Sequence, residues 1–254
     1  MRVLLTRPQG KAKALAKQLE RMVEFVAVQS VIEINDGPDI SEVVNCIAQK
    51  PQMLIFVSVN AVTYLQKALA ETQIADDVTE ACQLVAVGQS TAKALNDWLK
   101  RPVITPEIEN SEGLLQVELL QKESVTNKQV AIVRGVGGRE LLAEQLKVRG
   151  AIVNYWQMYQ RQAITGCGES WYQQWQTWQI DTLVVTSVAI VEAIIEALPQ
   201  NAKSWWQKLN WVCASARIAA AIEQLDVPKK QIYVANGAHD AAILQQIKII
   251  DEDV

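Results

Sequence analysis

The residues with the most chemical content lie between Val130 and Tyr159, in the stretch VAIVRGVGGRELLAEQLKVRGAIVNYWQMY. An apolar run over 130–133 ends in Arg134, Gly135, Gly137, Gly138 and Arg139 follow, and a helical pattern then begins. Glycine lets a backbone approach a ligand closely, and the free N–H groups at a helix start favour an anion. One reading of this spacing is an anion-holding loop; the other is a plain strand-to-helix turn whose glycines serve geometry alone. A nucleotide phosphate loop fits poorly, because no Lys-Ser/Thr pair follows the glycines and no acidic residue stands where a ribose partner would. His239 is the only histidine, and Cys46, Cys82, Cys167 and Cys213 are scattered without paired spacing. A metal site or a histidine relay therefore has little material, and the cysteines read as free thiols of a reducing cytoplasm.

The elements that must position these residues alternate along the chain. Hydrophobic periodicity predicts strands at 2–6, 25–28, 31–34, 53–57, 84–87, 103–104, 130–133, 151–156, 182–185, 211–214 and 232–234. It predicts helices over 11–22, 40–48, 61–70, 91–99, 113–120, 170–178, 189–197, 217–225 and 240–247, with one more after the glycine loop. Strand-helix alternation of this kind argues for an α/β fold of parallel sheets covered by helices.

The chain also repeats itself. Leu15-Ala16-Lys17-Gln18-Leu19 lines up with Leu142-Ala143-Glu144-Gln145-Leu146, and Arg7 with Arg134, each 127 residues apart. Gly88 and Ala92 match Ser215 and Ala219 at the same offset, Ser58 precedes Ser187 by 129, and Glu112 precedes Asp240 by 128. Solenoid repeats are far shorter, so a duplication into two similar domains is expected. In such folds ligands bind beyond the carboxyl ends of the strands. That rule gathers Arg7, Ser58, Asn60, Gly88, Thr91, Ser111, Arg134, Gly135, Gly137, Gly138, Arg139, Thr186, Ser187 and Ser215 as candidate binding residues. Backbone N–H and hydroxyl donors dominate the set, which suits a polyanion held in a shared cleft. Ordinary N-capping by Ser and Thr accounts equally well for any one of them.

At 254 residues, half of them hydrophobic and a fifth charged, the chain suits one large or two medium globular domains. A net charge of −4 argues against a broad basic face for nucleic acid. No apolar run approaches membrane-spanning length, and residues 1–5 lead directly into a strand and Arg7-Pro8, so neither a membrane segment nor a signal peptide is expected. No long apolar heptad suggests self-association, and a monomer is expected. Trp171, Trp175 and Trp178 fall at helical spacing and read as packing.

In order and spacing, the chain resembles the uroporphyrinogen-III synthases over nearly its whole length. The residues that carry the resemblance begin with Leu5-Thr6-Arg7-Pro8, Phe56-Val57-Ser58-Val59-Asn60-Ala61-Val62, and Ala86-Val87-Gly88 with Thr91-Ala92. They continue with Ser111-Glu112-Gly113-Leu114-Leu115, Arg134-Gly135 with Gly137-Gly138-Arg139-Glu140, Tyr159 before Arg161, and Val185-Thr186-Ser187. One departure is Ser215-Ala216-Arg217-Ile218, which stands where the family has a glycine and threonines. The resemblance implies a hydro-lyase that works without metal or cofactor. Its substrate would be hydroxymethylbilane, a linear tetrapyrrole with acetate and propionate arms. Water is lost and the ring closes with the last pyrrole inverted, through a spiro-pyrrolenine. Tyr159 is the family-matched proton donor for the leaving hydroxyl; the alternative is that it packs beside the strands and only orders the substrate.

The repeat alone would divide the chain at 128/129. The resemblance instead implies a discontinuous first domain, residues 1–33 and 163–254, and an inserted second domain, residues 34–162. A two-stranded extended linker would join them, and domain motion would open and close the cleft. The competing functional class is a cytoplasmic two-domain protein that binds or senses a small anion without catalysis.

Overall fold

The computed structural model of the chain describes residues 1–70, 72 and 82–252. Its strands are β1 (Arg2–Leu5), β2 (Phe25–Val28), β3 (Ile32–Asp36), β4 (Met53–Phe56), β5 (Gln83–Ala86), β6 (Gln129–Gly135), β7 (Ile152–Ala163), β8 (Thr182–Val185), β9 (Asn210–Cys213) and β10 (Ile232–Val234). The chain divides into two compact units, one of Met1–Glu33 with Gln162–Val254 and one of Ile34–Arg161.

The unit holding both chain ends is built on a sheet of order β10-β9-β8-β1-β2, parallel throughout. Its strands are apolar on both faces, as a sheet covered by helices on each side requires. Leu4, Leu183, Val185 and Trp211 pack against the helices Gly168–Thr177, Val188–Ala197 and Ala216–Glu223. On the other face Val3, Leu5, Val184 and Val212 meet Gln9–Leu19 and Asp240–Glu252. Trp171 and Trp175 are buried with their rings stacked, so this part of the tryptophan-rich helix does serve packing.

The second unit carries the order β3-β7-β6-β4-β5, parallel from β7 to β5. Beside β3, the Gly37 N–H donates to the Met158 carbonyl at 3.0 Å and the Asp39 N–H to the Gln157 carbonyl at 3.3 Å. Residue numbers rise on one segment as they fall on the other, so this pairing is antiparallel. Leu54, Phe56, Ala131 and Trp156 face the helices Val59–Ala70 and Gln89–Leu99, while Met53, Ile55, Val130 and Ile132 face Leu141–Val148.

The duplication is plain in the strands. β1 and β6 begin 127 residues apart at Arg2 and Gln129, β2 and β7 at Phe25 and Ile152, and β5 and β9 at Gln83 and Asn210. The orders β2-β1-β8-β9 and β7-β6-β4-β5 are therefore one topology used twice.

Three local expectations change. The strand at 103–104 is reduced to a single bridge between Val85 and Ile104, because Pro102 and Pro106 bracket it and supply no N–H donor. The helix over 113–120 breaks into Ser111–Leu114, a 3₁₀ turn at Glu118–Leu120 and a further short helix, Lys122–Val125. The carbonyls freed by that break are satisfied elsewhere. Gln121 Nε2 donates to Leu115 and Val117 at 2.9 and 3.1 Å, and Arg149 Nη1 to Leu115 and Leu120 at 2.9 and 2.7 Å. The strand expected to end at 156 continues to Ala163 as the 12-residue β7.

Candidate functional site

The site is assembled in the second unit, where β4, β6 and β7 end. β4 is wholly apolar and buried, and the chain leaves it through Val57 and Ser58. Ser58 Oγ accepts the Ala61 N–H at 3.1 Å, capping the Val59–Ala70 helix. The same oxygen lies 3.0 Å from the Tyr159 hydroxyl.

A shift in strand pairing brings Tyr159 there. Arg134 pairs with Gln157, but Gly135 pairs with Tyr159, so β7 carries one extra residue. Strict alternation would place Tyr155 and Tyr159 on one face; the extra residue lets both Met158 and Tyr159 enter the cluster that holds Trp156, while Tyr155 packs against the opposite one. Tyr159 is 3% exposed, its ring set between Gly135 and Tyr64, whose ring centre is 5.8 Å away. The phenol is thereby fixed in position in a residue that lines an open cavity.

That cavity, of about 290 Å³, is lined by Ser58, Ser111, Arg134, Gly135, Gly137, Gly138, Arg139, Tyr155, Tyr159 and Arg161, with Val57, Ile132 and Leu142 as its apolar wall. No cysteine or histidine lines it. Eight residues singled out from the sequence thus converge on one space.

The glycine loop works differently from an open anion cradle. Arg134 is 6% exposed and the loop wraps around it. Its Nε donates to the Gly135 carbonyl at 3.2 Å, its Nη1 to the Arg139 carbonyl at 3.4 Å and to Glu140 Oε1 at 3.2 Å, and its Nη2 to the Gly137 carbonyl. Gly137 and Gly138 take φ of +75° and +98°, which an L side chain rarely adopts, and these turns aim the loop at the guanidinium. The guanidinium carbon also lies 4.6 Å from the Tyr155 ring centre. The Tyr155 hydroxyl donates to Glu140 Oε2. Burial, then the Glu140 hydrogen bond, pushes the Tyr155 phenol up to about 12. The hydrogen bond from Tyr155, and after it the Arg134 charge, holds Glu140 below the usual carboxylate range. Arg139 is exposed and forks onto Glu112, whose carboxyl that hydrogen bond lowers.

The remaining candidates are not among the residues that line this cavity. Asn60 lies on the capped helix and Thr91 is buried in the Gln89–Leu99 helix. Gly88 leaves room for the Glu109 carboxylate, where a Cβ would stand 2.2 Å from Oε2, and Glu109 Oε1 accepts the Gln89 N–H at 3.0 Å. In the other unit Arg7 is buried, donating to Asp240 Oδ1 at 2.6 Å and to the Ala238 carbonyl at 3.3 Å. Ser187 caps its helix through Ile190 at 3.3 Å, as Ser58 does in its own unit. Thr186 and Ser215 are half-buried, Ser215 makes no side-chain cap bond, and Arg217 faces solvent.

Tyr155 and Arg161 line the cavity and Glu140 bonds both Arg134 and Tyr155, and none of the three is among the candidates gathered from the sequence. Their signal was position: Glu140 follows Arg139 directly, and Tyr155 and Arg161 flank Tyr159 on one strand.

The family model for uroporphyrinogen-III synthase HemD matches residues 12–245. The uroporphyrinogen-III synthase of Escherichia coli K12 is 28% identical over 257 residues, covering 98% of this chain and 100% of that protein. That of Salmonella typhimurium LT2 is 30% identical over 255 residues, with the same coverage. Among solved structures, a mutant uroporphyrinogen III synthase of the extremely thermophilic bacterium Thermus thermophilus superposes with a TM-score of 0.61 at 16% identity, over 100% of both chains. The uroporphyrinogen-III synthetase of Helicobacter pylori 26695 gives 0.62 at 15%, over 98% of this chain and 100% of that one. These two share the fold. The extent of the family match and the identity to the Salmonella protein together place the chain in the uroporphyrinogen-III synthase family.

Proposed function

We propose that the chain is a uroporphyrinogen-III synthase, which dehydrates hydroxymethylbilane and closes it with the last pyrrole inverted, and that Tyr159 supplies the proton that carries off the leaving hydroxyl. The observation that carries this reading is the clamped phenol, set against Gly135, bonded to Ser58 at 3.0 Å and bordering the cavity.

The chemistry follows from the substrate's own electrons. A pyrrole nitrogen pushes its lone pair toward the hydroxymethyl carbon, the C–O bond breaks, and the departing oxygen takes the Tyr159 proton and leaves as water. Ser58 serves the phenolate so formed. Its oxygen already accepts the Ala61 N–H at the positive end of a helix, and its own O–H is free to turn toward Tyr159. The methylene carbon so freed bonds to the substituted α-carbon of the last pyrrole, giving the spiro-pyrrolenine. The bond from that carbon to its original methylene then breaks, and that methylene bonds to the unsubstituted α-carbon of the same ring, which is thereby inverted. The proton lost from this last carbon returns to Tyr159. The sum is loss of one water, redox-neutral throughout. A positioned general acid contributes about two to four orders of magnitude, and holding the chain bent supplies much of the remainder, since closure without inversion competes.

The reading includes a monomeric, cytoplasmic enzyme whose two compact units act as its domains. The free cysteines support a reducing compartment. Among the described residues no helix is long and apolar enough to cross a membrane. The test is to supply enzymatically generated hydroxymethylbilane and identify the uroporphyrin isomer after oxidation. The synthase gives the type III isomer; a protein that only binds the tetrapyrrole leaves type I to form.

A further inference from the structure

Three arginines line the cavity, and the guanidinium groups of two of them are already engaged. Arg134 is buried and shared among Glu140 and the carbonyls of Gly135, Gly137 and Arg139. Arg139 is forked onto Glu112. In the other unit Arg7 is held the same way by Asp240. Arg161 differs. It is exposed, its guanidinium carbon lies 5.6 Å from the Tyr159 ring centre, and among the described residues no carboxylate pairs with it.

We propose that Arg161 docks a carboxylate arm of the substrate beside Tyr159, a role that rests on the synthase reading. An arginine presents a planar fork of N–H donors that matches a carboxylate bidentately. Here the fork has no competing acid, and the aromatic face beneath it favours its place through cation–π attraction without using any donor. The ligand class is a flexible acetate or propionate carboxylate on a pyrrole ring. Tyr159 is two residues away on the same strand, so one ring can place an arm on Arg161 while its hydroxymethyl oxygen meets the phenol. Arg161 is in this sense a binding and positioning residue, and it transfers no proton.

The test compares wild type with Arg161→Gln and Arg161→Lys, using hydroxymethylbilane generated in the assay and the type III isomer as product. An ion-paired hydrogen bond lost on binding predicts a KM raised about tenfold or more in Arg161→Gln, with kcat within about threefold. Arg161→Lys keeps the charge but loses the fork, so its KM falls between the two. The rise of KM with added salt should be flatter for Arg161→Gln than for wild type, which a merely structural role would leave unaltered. A KM within about twofold of wild type in Arg161→Gln, or a fall in kcat at constant KM, overturns the proposal. Failure of wild type to form the type III isomer overturns the synthase reading itself, and the wild-type arm reports that separately.

Discussion

The ring of Tyr159 occupies the space that a side chain at Gly135 would fill: a Cβ there would stand 2.6 Å from Cε2 and 2.7 Å from Cζ. The first glycine of the loop therefore serves the phenol more directly than it serves an anion. Gly135→Ala must displace the ring, and overpacking of this kind costs about 1–3 kcal/mol. We expect the thermal midpoint to fall by several degrees, and type III formation to fall at least about tenfold as the hydroxyl leaves Ser58. Isomer analysis beside a melting curve checks both; full activity in the Gly135→Ala protein would show that the ring needs no such clamp.

Ser58 has two duties, capping a helix and bonding the Tyr159 hydroxyl. Ser58→Ala should cost about 1 kcal/mol as a lost cap and should also slow turnover. Ser58→Thr keeps a hydroxyl and recovers both. In a Tyr159→Phe background, Ser58→Ala should bring its loss of stability and little further loss of rate, because the two residues act as a unit. Additive rate effects across that cycle would separate Ser58 from the proton transfer.

The Arg134–Glu140–Tyr155 cluster predicts a pH dependence of stability. Glu140 is held below the ordinary carboxylate range in the fold. Its contribution is therefore present above the unfolded value, about 4.3, and is lost as pH falls through the folded value. Melts of wild type and Glu140→Gln should differ near neutrality and converge in acid, by a modest amount because Glu140 is exposed. Tyr155 acts at the other end. Raised to about 12, it adds stability below the ordinary phenol value that fades as pH climbs toward its own. Tyr155→Phe should remove that alkaline limb. Parallel pH dependence in all three proteins would contradict the assigned cluster.

Much of this was legible in the sequence because it is written in spacing. The 127-residue offset gives two copies of one strand order, and hydrophobic alternation gives most strands and helices within a few residues. Convergence of Ser58, Ser111, the glycine loop and Tyr159 follows from strands ending at one edge. Side-chain partnerships were not legible. Arg134 stands among the candidate binding residues, yet its guanidinium closes its own loop, because the left-handed Gly137 and Gly138 turn the backbone onto it. Gly88 read as an approach to a ligand, yet Glu109, well downstream in the sequence, lies over it. The shift that sets Tyr159 apart from Tyr155 is one extra residue in β7, to which a strict two-residue alternation is blind.

If the Tyr159 hydroxyl carries off the leaving group, removing that hydroxyl alone must slow ring closure. The direct measurement is single-turnover formation of the type III isomer by wild type and Tyr159→Phe, with a melt to show that both are folded. Phenylalanine keeps the ring against Gly135 and leaves Ser58 capped onto Ala61. A role in packing alone would therefore leave the rate nearly intact. Because the pyrrole already drives ionisation, the loss should lie at the low end for a general acid, about a hundredfold, with substrate binding little altered. A Tyr159→Phe protein that keeps more than about half the wild-type rate would contradict the account and leave the proton to come from water or a substrate carboxyl.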